Sequence, residues 1–308
     1  MKNNKLYTID TINDFHAICG LAKPQHPLVS LVDYSQVEYQ VEEEEIGWIQ
    51  DLYFIGLKRD IQGKFRYGQK QYDFDEGLVC FVAPKQLIHV HIDKPADNVI
   101  KPSGYLLAFH PDFLWNTPLA KNIHNYDFFG YDVNEALFLS EKEEILLMGL
   151  FKGIEQEYQS GIDQFTQNII ISQIEVLLNY CERFYQRQFI TRKKNGHQIL
   201  ERLEQVLDDC FSNENLINKG LPTAQQIASQ LNITPNYLGS LLKALTGQTT
   251  QQHIHNKLIE KAKEKLSTTA LSVSEIAYEL GFEHSQSFSK LFKNKTNLSP
   301  LEFRQSFN

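Results

Sequence analysis

Two sets of side chains in this chain have types and spacings that could do chemistry. His89 and His91 stand one residue apart in the β-branched stretch Leu87–Ile92, where alternate residues share a face. Two imidazoles so placed could ligate a divalent ion with Asp93 as a third donor, or line a pocket as neutral polar groups. The second set follows residue 230. There Asn236, Ser240, Ser285, Gln286, Ser289 and Lys290 offer amides, hydroxyls and an ammonium, and Lys243, Lys257, Lys293 and Arg304 add positive charge. Such groups suit recognition of hydrogen-bonding edges and of anions rather than bond breaking. No nucleophile–base pair, phosphate-binding glycine loop or carboxylate pair has a spacing that demands catalysis, so neither an enzyme nor a cofactor is expected. The pocket-lining reading of the histidines is preferred to a metal site, because no further acidic ligand follows at the spacing a metal pair would use. Trp48, Phe81 and Tyr105 are the aromatic candidates to join His89 and His91 around an effector.

These groups sit in an acidic chain of 308 residues with formal net charge −8. The charge divides unevenly. Residues 192–308 hold 14 Lys/Arg and 11 Asp/Glu, a net of +3, which leaves −11 on residues 1–191. Phosphate binding needs a local basic face rather than a basic chain, so the asymmetry permits a nucleic-acid partner. No stretch approaches the ~18 uninterrupted apolar residues that span a bilayer, and the first residues have no apolar core of signal-peptide length. A cytoplasmic protein with no membrane partner is the expectation. Cys19, Cys80, Cys181 and Cys210 lie far apart, as buried thiols do in a reducing compartment.

The elements that must position these residues change character along the chain. Leu28–Val32, Val37–Val41, Trp48–Leu57, Lys64–Tyr67, Leu78–Val82, Leu87–Ile92 and Tyr105–Phe109 read as short strands punctuated by Gly and Pro, a pattern of sandwiches and small barrels. From Ser140 the period becomes helical: Ser140-x-x-Glu143 has the form of a capping box, and one helix follows it. A second runs from about residue 164 to 188 with Ile170, Ile174, Leu177, Leu178 and Cys181 on its stripe. The expected organisation is α+β: a barrel-like sensor domain over 1–139, a helical dimerisation segment over 140–190, a polar linker over 191–196, and an all-α domain over 197–308.

The last domain repeats itself. Ile227-Ala228-x-x-Leu231 returns as Ile276-Ala277-x-x-Leu280, and Leu238-x-x-Leu241-Leu242-Lys243-x-x-Thr246 returns as Phe288-x-x-Leu291-Phe292-Lys293-x-x-Thr296. Thr223-x-x-Gln226 and Ser272-x-x-Glu275 are capping boxes at the head of each copy. Asn232 and Gly281 then end the first helices with residue types that tolerate left-handed backbone. A short helix, a sharp turn and a second helix with a polar N-terminal face have the proportions of a helix-turn-helix reader rather than of a plain bundle. Thr250–Leu266 joins the copies, with Lys257, Lys261 and Lys265 on one face.

Residues 197–308, and most specifically Gly281-Phe282 through Ser299-Pro300 and Phe303-Arg304, resemble the AraC/XylS family of transcription regulators. Asn297 and Phe303 depart from the family's usual glycine and tyrosine. The resemblance implies two helix-turn-helix units whose second helices lie in successive major-groove faces about 34 Å apart. Base edges would be read by Asn236, Ser240, Ser285, Gln286, Ser289 and Lys290, and phosphates met by Lys243, Lys257, Lys293 and Arg304. Gly239 and Ser240 are short for readers, which makes the first unit an anchor and the second the seat of specificity. The segment 72–90 resembles the cupin-like barrel that precedes this domain in the family, so the implied fold is a cupin-like β-barrel, a helical dimerisation segment and a tandem helix-turn-helix domain. The implied function is sequence-specific transcription regulation, as an activator answering a small-molecule effector. Double-stranded DNA, the effector, a second copy of the chain and RNA polymerase are the implied partners. The competing readings are a cupin-fold metalloenzyme with a helical appendage and an interaction scaffold that binds no DNA.

Overall fold

A computed structural model describes residues 6–37, 45–59, 77–91, 103–132, 135–191, 193–211, 216 and 220–306. The chain divides into two compact units, Met1–Gln188 and Phe189–Asn308.

In unit 1 the strands β1 (Leu6–Ile9), β3 (Glu45–Gln50) and β6 (Leu87–His91) form one sheet in the order β1-β3-β6. The strands β2 (Val29–Asp33), β4 (Tyr53–Arg59), β5 (Gly77–Val82), β7 (Ser103–Phe109) and β8 (Leu137–Leu139) form the other, in the order β2-β7-β4-β5-β8. All ladders are antiparallel except β1 with β3. Among the described residues no ladder joins the two sheets into a closed barrel. The expected strand Trp48–Leu57 is two strands. The chain turns at Asp51–Leu52, where the Asp51 amide donates to the Ile9 carbonyl at 2.9 Å, and passes from one sheet to the other. Gln50-Asp51, the polar pair in an otherwise largely apolar stretch, marks that crossing. The expected strand Lys64–Tyr67, most of Val37–Val41 and the candidate ligand Asp93 lie outside the described residues.

Apolar residues from both sheets share one core. Ile9, Val32, Trp48, Phe54 and Ala108 pack with Ile12 and Phe15 of helix α1 (Ile12–Ile18) and with Cys19, which caps its C-terminus. The Cys19 thiol is buried, and burial pushes its pKa up to about 12. Residue alternation on β4, β5 and β7 sends Ile55, Phe81 and Leu107 to the opposite face. There α3 (Glu141–Gln159) and α4 (Thr166–Thr191) supply Phe151 and Tyr185, and the Arg59–Glu144 ion pair ties α3 to β4. Ser140 and Glu143 make the expected reciprocal cap of α3. Helix α2 (Pro118–Asn122) lies in the connection before β8.

His16 of α1 is buried, with Nδ1 on the Ala22 carbonyl and Nε2 2.7 Å from the Ser30 hydroxyl. A carbonyl only accepts, so Nδ1–H donates to it and Nε2 accepts from Ser30. That fixes the neutral tautomer. Burial lowers the His16 pKa, and does the same to His26. Unfolding returns both imidazoles to their ordinary value of 6.5. Their contribution to stability is therefore complete above about pH 6.5 and is lost as the pH falls below it. Urea midpoints of the native chain should fall between pH 7 and 5, and His16→Gln should flatten part of that slope. An unchanged slope would remove His16 from this account.

Unit 2 is helical: α5 (Lys193–Cys210), α6 (Ala224–Leu231), α7 (Pro235–Thr246), α8 (Thr250–Thr268), α9 (Val273–Glu279), α10 (Ser285–Thr296) and α11 (Pro300–Gln305). The stretch 191–196, expected as a polar linker, instead holds the end of α4 at Thr191 and the start of α5 at Lys193. One apolar core runs through Leu203 and Leu207 of α5, Ile227 and Ala228 of α6, and Leu238 and Leu242 of α7. It continues through Ile254, Leu258, Ala262 and Leu266 of α8, Ile276 and Ala277 of α9, and Phe288 and Phe292 of α10. Among the described residues no helix is long and apolar enough to cross a membrane.

Candidate nucleic-acid interface

Both copies of the repeat fold as helix, sharp turn and second helix. Thr223 and Gln226 cap α6 reciprocally, Asn232 ends it in left-handed backbone (φ 57°), and the Thr234 hydroxyl accepts from the Tyr237 amide to start α7 behind Pro235. Ser272 and Glu275 cap α9 in the same way. Gly281 (φ 83°) then makes the turn. A Cβ there would lie 3.1 Å from backbone atoms of Gly220 and Leu221, so both the dihedral and the close approach require glycine. Asn297 also adopts a left-handed backbone, φ 62°, and closes α10. Its short side chain tolerates that backbone, as expected.

Each second helix buries one face and exposes the other. Leu238, Leu241 and Leu242 of α7, and Phe288 and Phe292 of α10, are buried. The rings of Phe282 in the turn before α10, Phe288 and Phe292 within it, and Phe303 of α11 follow one another at centroid separations of 5.4–5.8 Å. On the outward faces, Asn236, Ser240 and Lys243 occupy the repeat positions that Gln286, Lys290 and Lys293 occupy fifty residues later. All but the half-buried Ser240 are exposed. The spacing i, i+4, i+7 puts each triad on one line along its helix. Ser285 and Ser289 are half-buried at the shoulder of the second triad. Gly239 faces open space, since a Cβ there would meet nothing within 4 Å.

Two of the four residues expected at phosphates have other work. Lys257 is only 11% exposed; its ammonium lies 2.7 Å from Asp208 of α5, 3.7 Å from Glu204 and 3.8 Å from Glu260. The hydrogen bond to Asp208 is the main cause of its raised pKa. With three carboxylates around it, Lys257 fastens α5 to α8 rather than facing an external anion. Arg304 is half-buried, and its Nε donates to the Leu266 carbonyl at 3.2 Å near the C-terminus of α8. There it satisfies one of the carbonyls a helix end leaves free. Lys261 and Lys265 are likewise paired, with Glu264 at 3.1 Å and Glu279 at 2.7 Å. Lys243 and Lys293 remain exposed at the ends of the two triads. Spacing shows the local pairs Lys257–Glu260 and Lys261–Glu264 but not those with Asp208 and Glu279, which reach α8 only through the fold.

Of the five residues expected around an effector, the three whose side chains are described do not share one face. Trp48 belongs to the core shared by the two sheets. Phe81 packs on Phe128 (4.3 Å) and Phe129 (5.5 Å) on the far face of the five-stranded sheet. Tyr105 shares that face, stacks on Phe151 at 5.7 Å and donates to Glu155 Oε2 at 2.9 Å. Burial first, and then Glu155, push its pKa up to about 12. His89 and His91 are strand positions of β6 in register with Gly47 and Glu45, alternating with Ile88, which pairs Trp48. Their side chains lie outside the described residues. Among the described residues no group of three His, Cys, Asp or Glu could hold a metal ion.

The model of a helix-turn-helix domain matches residues 227–306. An uncharacterized HTH-type transcriptional regulator of Escherichia coli, YijO, is 26% identical over 145 residues, 47% of each chain. The chain thus spans about half the length of that relative. The HTH-type transcriptional activator RhaS of Salmonella agona is 24% identical over 270 residues, 83% of this chain and 86% of RhaS. A solved transcriptional regulator of Chromobacterium violaceum, described as AraC-type, is 20% identical and covers 35% of this chain and 93% of its own, with a TM-score of 0.31.

Proposed function

We infer that this chain, whose residues 227–306 are a helix-turn-helix domain of the AraC type, is a transcription regulator that binds double-stranded DNA with two readers and answers a signal through unit 1. The observation that carries the reading is the pair of outward triads, Asn236/Ser240/Lys243 and Gln286/Lys290/Lys293, at equivalent positions of the duplicated second helices, exposed at every position but Ser240. In the second triad, Gln286 can pair both edges of an adenine and Lys290 can donate to guanine or phosphate. The first triad is shorter and serves mainly to hold the backbone through Lys243. Specificity then resides in the second reader, with Ser285 and Ser289 as minor contacts.

Selection of duplexes from a random pool by the purified chain, followed by footprinting, tests the whole reading. A site with two blocks about one helical turn apart is expected, and failure to retain any duplex at low salt would end it. Gln286→Ala should cost ~1–3 kcal/mol at one base pair and relax preference there. Lys293→Ala should weaken all sequences alike and lower the salt slope by about one. Equal, sequence-blind losses in both variants would remove Gln286 from the readers.

Three finer assignments complete the proposal. Activation is the role printed in the name of RhaS, and a reporter driven by the selected site separates it from repression. An effector in unit 1, between sheets that share a core in the manner of a cupin-like fold, is supported by Gln50. This residue is fully buried on β3, and its Oε1 has no hydrogen-bond partner; a bound donor would satisfy it. A homodimer is supported by α4. Ile170, Ile174, Leu177, Cys181 and Phe184 bury one side of that helix, while Ile169 and Val176, two turns apart, line the other with Phe165 just before the helix. A helix apolar on both sides is covered on both. Like-charge contacts of Arg183 with Arg183 and Glu175 with Glu175 would oppose a parallel pair of copies, so the pair runs antiparallel.

A further inference from the structure

Phe189 is one of the largest fully buried side chains of the protein and lies in the last turn of α4. Its ring meets that of Tyr237 edge to face, with centroids 5.2 Å apart and planes at 76°. Tyr237 is in the first turn of α7, next to Asn236 and one turn before Ser240. At 100° per residue it lies on the shoulder between the outward triad and the buried Leu238/Leu241/Leu242 face. A ring clamped there fixes the rotation of α7 about its own axis, and with it the direction of Asn236 and Ser240. The repeat supplies an internal comparison. The position equivalent to Tyr237 in the second copy is Ser287, which is exposed. That copy completes the same helix-turn-helix without an aromatic at this place, so the Phe189–Tyr237 contact is not a requirement of the motif.

We propose that Phe189 is a positioning residue for the first reader: docked on Tyr237, it holds α7 in its DNA-reading attitude. Phe189 touches no base. The first reader thereby depends on this ring, and the second, with Ser287 at the equivalent place, does not. The contact is an aromatic pair whose geometry contributes beyond simple burial. This inference rests on the DNA-binding reading above, and the two fail in different ways.

The test uses the full chain and the duplex it selects, together with two derivatives in which either the first or the second block is scrambled. Phe189→Ala should weaken binding roughly three- to tenfold where only the first block remains, and leave binding within about twofold where only the second remains. Tyr237→Ser, which copies the second unit and is compatible with its fold, should reproduce that split; Phe189→Tyr should restore the native pattern. Equal losses on both blocks would mark Phe189 as part of the general core and overturn the proposal, as would native affinity in Phe189→Ala. Failure of the native chain to bind any duplex would instead strike the DNA-binding reading itself.

Discussion

Val176→Glu is expected to turn a dimer into a monomer and to cost about a hundredfold or more in affinity for a duplex carrying two copies of the site. Val176 is 42% exposed on the side of α4 away from the sheet, so the new carboxylate should leave the unit's own packing, and its melting, unchanged. In an antiparallel pair of α4 helices the same carboxylate would be taken out of water beside Glu175, with no partner to compensate its burial. Two sites held by one dimer gain ~10²–10⁴ in affinity by linkage alone, and a monomer forfeits it. Sedimentation and binding to one-site and two-site duplexes check the two halves of the prediction. A native chain that sediments as a monomer, or a variant that stays dimeric, would refute the α4 interface.

Phe288→Ala should abolish DNA binding by unfolding the domain that performs it. Phe288 is fully buried between Phe282 and Phe292 in a core to which α5 through α10 all contribute. Removing such a ring costs about 3–5 kcal/mol. A unit of this size would lose roughly 10–20 °C in melting temperature. Because the core is shared, the footprint should vanish over both blocks together, unlike the one-sided effect expected of Phe189→Ala. A variant that melted near the native temperature, or lost only the second block, would contradict a single continuous core.

The two halves of the chain differ in how far they can be read from sequence, and the reason is physical. In unit 2 the decisive signals are local. Thr223 with Gln226, Ser272 with Glu275, and the left-handed Asn232, Gly281 and Asn297 each act over four residues, and all fold as their types suggest. The outward triads follow from helical period once the buried stripe is known. The paired lysines do not, because Lys257 meets Asp208 across the fold. In unit 1 the information is non-local. Trp48–Leu57 looks like one strand because its polar pair Gln50-Asp51, where the chain changes sheet, has no Gly or Pro beside it to announce a turn. Alternation within β7 does not say which face belongs to Trp48, so nothing in the sequence separates it from Tyr105 and Phe81, which pack on the far side. One missed element had a legible signal: Thr11 and Asp14 form a capping box before Phe15, the same device used to find the later helices.

The shared core of unit 2 also constrains how such a protein and its sites can change over generations. Adding one residue to α8 would turn everything beyond it by about 100° and advance it by ~1.5 Å. One base pair of duplex turns by about 34° and advances ~3.4 Å. No whole number of added base pairs matches both the turn and the advance. Ile254, Leu258, Ala262 and Leu266 would also leave the core they now complete. On the proposed function, operators of this chain would drift in letters but not in length, and a genome search for them should hold the gap fixed while letting each block vary.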